Sequence, residues 1–417
     1  MTAPTPLADV FPRFTEADWQ RAAARTRRGV AAGPESPALF PRRASARAIT
    51  GSVGGQPWVV AGRVDAVATE DAIAGARAEL EGGATAIDVA TTGGSHPLTA
   101  RLPRDAVAAL LAALPEGTIV RVDMDDVALA DIAVARKLEL FVAVDPVARI
   151  ASGAATEVDE TRMAQLAERG VAAAAIADGR PWHAGGASDE QELGVALATF
   201  VHHLRLIGGK VDVVLVADAD QFRTIAKFRA MRLLLARVGE VAGIDIAPRI
   251  HAETAWRSMS ARDPQMNILR ATSAAFGAAA GGADSITVLP FDVLAGGDGH
   301  GRRLARNTQI ILAEEAQMFR VADPAAGSGA IEAMTEALAE AAWARFQRIE
   351  AVGGIVPAIL RGGLLREVAE ARKARLAEVA AGLVKIVGVN AVAGAPAPRS
   401  DECGRLVYRR LAEAYET

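Results

Sequence analysis

The chain has 417 residues, 51% hydrophobic and 23% charged, with a formal net charge of −4. This much apolar material excludes a disordered or low-complexity protein, because burying it offsets the entropy of ordering the chain. The longest wholly apolar stretches, such as 106–114, are about half of the ~20 residues a membrane-spanning helix needs. With 46 basic and 50 acidic residues interspersed, there is no basic block for nucleic acid or for an acidic membrane.

The N-terminal MTAPTPLADVFPRF has neither a cationic start nor an apolar signal core, so a cytoplasmic location is expected. The single Cys403 excludes an internal disulfide and any multi-cysteine metal or cluster site, and no metal is expected. The only two tyrosines, Tyr408 and Tyr415, lie at the far C-terminal end, so a site in the body of the chain would have to work without one.

Residues 1–52 read as an arm with one capped helix beginning at Thr15-Glu16-Ala17-Asp18, of the kind that packs on itself or on a partner subunit. From there on, short β-branched runs alternate with Ala/Leu/Arg-rich segments of helical period, the pattern of repeated βα units and a parallel sheet. The predicted strands are 58–61, 86–90, 118–123, 138–145, 172–177, 211–217, 246–250 and 284–289. The predicted helices between and after them are 69–81, 104–114, 126–136, 159–170, 188–207, 220–240, 264–281 and 302–320. Thr69-Glu70-Asp71 opens the first helix, and Ser188 to Gln191 reads as a capping box.

Eight strands close a (β/α)8 TIM barrel, here assigned to 53–325. A doubly wound open sheet is the competing architecture, weakened by the lack of GxGxxG after the first strand. Beyond the barrel, 326–417 reads as a helical extension, with helices at 330–352 and 365–382, a strand-like 385–392 and a Pro/Ala linker at 394–399.

In such a barrel the loops after the strands carry the chemistry. Those loops offer Thr91 to His96, Met124-Asp125-Asp126, Asp145-Pro146, Asp178 to His183, Asp218-Ala219-Asp220, His251-Ala252-Glu253 with Trp256, and Asp292 to His300. Asp145, Asp178 and Asp218 read first as caps of the following helices. His251 and Glu253 alternate on an extended segment, would face the same side and could form an acid/base pair; the competing reading is a satisfied buried histidine. His202 and His203 sit mid-helix as packing or surface residues, and Asp298-Gly299-His300-Gly301 reads as a flexible loop. No P-loop, HExxH or GxSxG occurs.

Three ordered stretches carry a resemblance. They are Arg249 to Asp263 followed by Asn267 to Arg270, then Leu304-Ala-Arg-Asn-Thr-Gln309 leading to Glu314-Glu315 and Arg320 to Ser328, and lastly Val387-Gly-Val-Asn390. Through them, from about Val60 to Val389, the chain resembles the acyl-CoA mutase family typified by methylmalonyl-CoA mutase. The resemblance implies radical rearrangement by adenosylcobalamin above a barrel, with an acyl-CoA threaded down an axial channel lined by small polar residues.

The chain departs from that pattern in several places. The stretch after Ala325 leaves no room for a cobalamin-binding domain on the order of 130 residues. The D-x-H-x-x-G signature of cobalamin ligation is not met at Asp298 and His300, because position 303 is arginine. The strands are apolar, as in an ordinary filled barrel. The family's Q-Y-A-G-F segment reads Val59-Val60-Ala61-Gly62-Arg63, with valine in place of the catalytic tyrosine. Its G-Y-H-M-Q-E-A-G-A loop resembles Pro181 to Ala187, two residues shorter, so His183 need not take the substrate-contacting place.

The departures look like the small, non-catalytic subunit of heterodimeric methylmalonyl-CoA mutase. The implied chain binds no cofactor and stabilises a large catalytic subunit that carries the adenosylcobalamin. No catalytic residue is expected, and His183, His251 and Glu253 are the candidates if one exists. The alternatives are a substrate-binding barrel subunit of a related acyl-CoA mutase paired with a separate cobalamin-binding chain, and an unrelated barrel enzyme for a small phosphorylated or acidic substrate.

Overall fold

The structure, a computed structural model, describes residues 56–91, 102–393 and 409–415, together with Thr15, Ala17, Asp18, Arg21 and Ile49. In the arm, Thr15 Oγ1 donates to Asp18 Oδ2 at 2.7 Å and accepts from Asp18 N at 3.3 Å, the expected helix start. The rest of the arm, the loop 92–96 with His96, the linker 394–399 and Cys403 lie outside the described residues.

Eight parallel strands form one sheet in the order β4-β3-β2-β1-β8-β7-β6-β5. They are β1 Val59–Val64, β2 Ala86–Val89, β3 Ile119–Val122, β4 Glu139–Val142, β5 Ala175–Asp178, β6 Val211–Ala217, β7 Ile250–Thr254 and β8 Ser285–Thr287. The two ends meet through Ala172 N donating to Leu140 O, Val142 N to Ala173 O and Ile176 N to Val144 O, at 2.8–3.1 Å, which makes the sheet a (β/α)8 barrel.

Around it lie α1 Thr69–Glu81, α2 Arg104–Ala113, α3 Val127–Ala135, α4 Pro146–Ser152, α5 Glu160–Glu168, α6 Arg180–Ala184, α7 Asp189–Ile207, α8 Gln221–Ala242, α9 Met266–Ala280 and α10 Gly299–Ile310. The extension adds α11 Gly329–Ala351, α12 Ile355–Leu360 and α13 Gly363–Ala380, with a short parallel pair, Val387–Gly388 and Ala391–Ala393, in place of one strand over 385–392.

Several local expectations are corrected. β7 begins at Ile250 rather than ending there, because Pro248 has no N–H to give to a ladder. His251 and Glu253 therefore lie within the strand and not on the loop after it. Thr69-Glu70-Asp71 does open α1, as expected, with Glu70 and Asp71 in the first turn complementing the helix dipole. The predicted 302–320 helix stops at Ile310 and continues as a π turn at Ile311–Glu315 and a 3-10 turn at Met318–Arg320. Asp298–His300 is the start of α10, with Asp298 accepting from Gly301 N at 2.8 Å. The Ser188/Gln191 capping box of α7 is present as read.

Strand alternation sends one set of side chains to the helices and the other to the axis. The outward set is apolar: Val64, Ile87, Val89, Val120, Val122, Leu140 and Val142 pack with α1–α3, while Val213, Leu215, Ile250, Ala252 and Ile286 pack with α7–α9 and α11. The two cores are thus outside the barrel wall, between strands and helices.

Candidate functional site

The sequence leads one to expect apolar filling of the axis; the structure instead places charge there. Among the described residues, Ala143, Ile176 and Val214 form a small apolar cluster on the inner side, from the β4–β6 wall. From β1, β7 and the loop after β5, Arg63, Glu253 and Arg180 converge. Arg180 Nη1 lies 3.1 Å and Arg63 Nη1 3.4 Å from Glu253 Oε2. Arg180 also forks onto Asp178, with Nε to Oδ1 and Nη2 to Oδ2 both at 2.9 Å. These bonds join strands that are not neighbours in the sheet, so they span the interior. Despite burial, the charges of Asp178 and Glu253 hold the Arg180 guanidinium well above its ordinary pKa.

Below this layer, Thr287 Oγ1 donates to Asp88 Oδ2 at 2.9 Å across β1, and His251 Nδ1 lies 2.7 Å from Ser285 Oγ. Arg121 is buried over the Phe141 ring at 5.9 Å, and its Nη2 has no hydrogen-bond partner. Thr91 N donates to Asp123 Oδ1 at 2.6 Å, yet burial pushes the Asp123 carboxyl up to about 6. A cavity of about 460 Å³ opens at the N-terminal end, lined by Arg121, Phe141, Arg232 and Arg249 among others, and none of Arg63, Arg180 or Glu253 lines it.

His251 and Glu253 do face the same interior, as alternation requires, but each has its own partners: Ser285 for one, Arg63 and Arg180 for the other. They are two residues apart on a strand that rises about 3.3 Å per residue, and the structure does not bring them together as an acid/base pair. Burial, reinforced by the charge of Arg121, drives the His251 pKa well down, so the ring is neutral.

His183 lies apart from this network, buried in α6, with Nε2 3.2 Å from Asp218 Oδ2. Burial, then the charge of Arg257, pushes its pKa down to about 3. Arg257 Nη2 lies 3.2 Å from the same Asp218 oxygen, and its Nη1 donates to the carbonyls of His183 and Ala187 at 2.9 Å. The neutral His183 therefore ties the loop after β5 to the one after β6, and Arg257 brings in the loop after β7.

Asp218, read as a helix cap, instead receives His183 and Arg257; the α8 cap is Asp220, accepting from Arg223 N. Asp145 does cap α4, accepting from Val147 N at 2.8 Å and Ala148 N at 3.1 Å. It also ties in Asp178 N at 3.0 Å and His203 Nε2 at 3.3 Å, so His203 is a buried anchor, whereas His202 is half-buried. Asp178 serves Arg180 rather than a long helix.

The residues missed from sequence are Arg63, Asp88, Arg121, Arg257, Ser285 and Thr287. For all but Arg257, which lies in the 3-10 turn after β7, the available signal was a charged or hydroxyl residue at the inward parity of an otherwise apolar strand. Among the described residues, no group of three or more His, Cys, Asp or Glu could hold a metal ion, and no helix is long and apolar enough to cross a membrane.

The stretches that carry the family resemblance prove to be structural. Asp323 takes the wholly buried Arg229; Gln309 accepts from Trp58 Nε1 at 3.3 Å; Arg306 pairs with Glu79 at 3.1 Å. Asn267 accepts from Ser260 N and donates to the carbonyls of Ser260 and Phe291. In the segment set against the family's Q-Y-A-G-F, Val60 packs outward into the helix layer, and the side chain that reaches the axis is Arg63.

Residues 171–403, more than half of the chain, match the family described as Methylmalonyl-CoA mutase. A probable methylmalonyl-CoA mutase small subunit from Mycobacterium bovis is 44% identical over 241 residues, covering 54% of this chain and 39% of the relative. The methylmalonyl-CoA mutase small subunit of Streptomyces virginiae is 45% identical over 261 residues, covering 57% and 42%. That of Propionibacterium freudenreichii subsp. shermanii is 36% identical over 310 residues, covering 68% and 48%. The chain thus spans about two fifths to one half of the length of these relatives. By the extent of the family match, the chain belongs to the methylmalonyl-CoA mutase family.

Proposed function

We propose that this chain acts as the small, non-catalytic subunit of a heterodimeric, cytoplasmic methylmalonyl-CoA mutase. In this reading a large partner subunit carries adenosylcobalamin and interconverts methylmalonyl-CoA and succinyl-CoA. The observation that supports it best is the ion-pair chain Asp178–Arg180–Glu253–Arg63, which fills the axis where the family's substrate would thread. Replacing those side chains by an acyl-CoA would strand buried charges, at about 3–5 kcal/mol for each broken pair.

The residues present also do not fit cobalamin. His300 is exposed in the first turn of α10, and Asp298 beside it is engaged as that helix's cap, so no step is routed through the cofactor. The family is cobalamin-dependent, and in this reading the cofactor is held by the partner. The division into arm 1–52, barrel 53–325 and extension 326–417 belongs to the same proposal, with arm and extension packing on the large subunit.

The experiment is size-exclusion chromatography of this chain with the large subunit, followed by mutase assays on the complex. Co-elution at 1:1, with activity kept when His183, His251 or Glu253 is replaced, is the expected result. Separate elution overturns the subunit role. A large drop in kcat for Glu253→Gln in an intact complex would favour the substrate-binding barrel instead.

A further inference from the structure

A second cavity, of about 580 Å³, lies where the extension meets the barrel, between the loop after β6, α9, α13 and residues 384–387. Three of its four carboxylates are already engaged. Asp218 holds His183 and Arg257, Asp189 holds Arg223 at 2.8 Å and Lys227 at 3.2 Å, and Asp220 caps α8. Three cations on its wall, Arg270, Arg375 and Lys385, make no ion pair among the described residues. Arg270 bonds only neutral oxygens, Asn267 Oδ1 at 2.8 Å and the Val387 carbonyl. Arg375 Nη1 is buried and has no hydrogen-bond partner. Glu378, one turn along α13, is exposed and forms no ion pair with Arg375.

We infer that this cavity binds a phosphate monoester, with Arg270, Arg375 and Lys385 as its anion ligands. Three unmatched cations against one unmatched carboxylate, Glu378, with one nitrogen of the half-buried Arg375 guanidinium buried and unpartnered, call for an anion, since a buried donor left unsatisfied is costly. The donors come from three separate elements, which suits the three outward oxygens of a phosphoryl group better than the two of a carboxylate. Leu269, Met266 and Val384 on the same wall offer an apolar face for the organic portion, and the volume falls in the range of small-ligand sites. Burial and the nearby Arg375 together push the Arg257 pKa down to about 10, a sign of the positive field that an anion would relieve. A ligand joining Arg270 on the barrel to Arg375 on the extension fastens one to the other.

The test is calorimetric titration of the full chain with inorganic phosphate and with phenyl phosphate, at ionic strength held constant with chloride. Saturable binding of one equivalent, tighter for phenyl phosphate, is expected. Arg375→Gln and Lys385→Gln each weaken it roughly tenfold, the scale of one charge-assisted contact, while Arg303→Gln, on α10 and outside the cavity lining, leaves it unchanged. Lys385 is exposed, so its variant keeps the fold and decides the matter if the arginine variant is unstable. Absence of saturable binding by either probe, or binding unaltered in the Lys385 variant, overturns the assignment.

Discussion

Arg229 on α8 and Asp323, 94 residues further along the chain and just before the extension begins, form a wholly buried ion pair. Glu332 completes it at 2.9 Å from Arg229 Nη2, and Ile49 N donates to Asp323 Oδ2 at 2.7 Å, so arm, barrel and extension meet at one guanidinium. Removing Asp323 leaves Arg229 buried with one carboxylate. Asp323→Ala is expected to lower unfolding free energy by about 3–5 kcal/mol, tempered by Glu332. Urea denaturation measures it, and a loss below 1 kcal/mol would show that Glu332 and water suffice.

Glu253 carries two guanidiniums at once. Glu253→Gln keeps the shape but removes the charge between Arg63 and Arg180, and is expected to cost about 2–4 kcal/mol, in the range for uncompensated buried charge. The same substitution leaves the kcat of the assembled mutase unchanged if the barrel is non-catalytic. A thermal melt of the chain and an assay of the complex separate the two effects.

Gly62 on β1 faces α1 at close quarters: a Cβ there would lie 2.8 Å from both Cβ and Oε2 of Glu79. Glu79 is pinned by Arg306, so it cannot swing away freely. Gly62→Ala is expected to cost about 1–3 kcal/mol through overpacking. An unchanged denaturation midpoint would mean that α1 yields at this contact.

Stability should respond to pH in two opposed ways. His183 and His203 have folded values of about 3, against 6.5 ordinarily, and His251 is lowered too, so the unfolded chain binds more protons below 6.5. Each histidine therefore removes about 1.4 kcal/mol per pH unit as pH falls from 6.5 toward 3. Asp123 and Asp212, pushed up to about 6, and Asp145, pushed up to about 7, work oppositely. Their stabilisation is complete below 3.8 and is lost as pH rises through 6 to 7. The expected curve is flat between about pH 4 and 6 and falls steeply below 4, where the histidines are joined by Asp189 and Asp218, whose carboxyls are held below their ordinary range by neighbouring cations and hydrogen bonds. Guanidinium titrations across pH 3–8 test it; a continuous decline from pH 6.5 would mean that these carboxylates are ionised in the fold.

Much of this architecture was legible in the sequence because outward-facing Val, Ile and Leu recur in short runs separated by helical periods. Strand β7 was misplaced because Ile246 and Ile250 look like the ends of a strand, while Pro248 blocks the ladder until Ile250. The site was harder to read. Arg63 and Glu253 are 190 residues apart and meet only when the sheet closes, so neither predicts the other. Asp218 resembled a cap because it ends a strand, and only the fold shows that Asp220 takes that duty. The family stretches were recognisable by identity, yet their side chains turn out to hold segments together.

The charge chain across the barrel mouth also governs how the barrel can open. Asp178, Arg180, Glu253 and Arg63 link β5, β7 and β1, so no one of these strands can detach without exposing charges that belong to the others. Amides of β5 to β8 and β1 should exchange with solvent as one cooperative unit, at the slow rate set by global unfolding. A barrel wall that moves only as a whole is a rigid platform, against which a neighbouring subunit can change shape while its footing stays fixed.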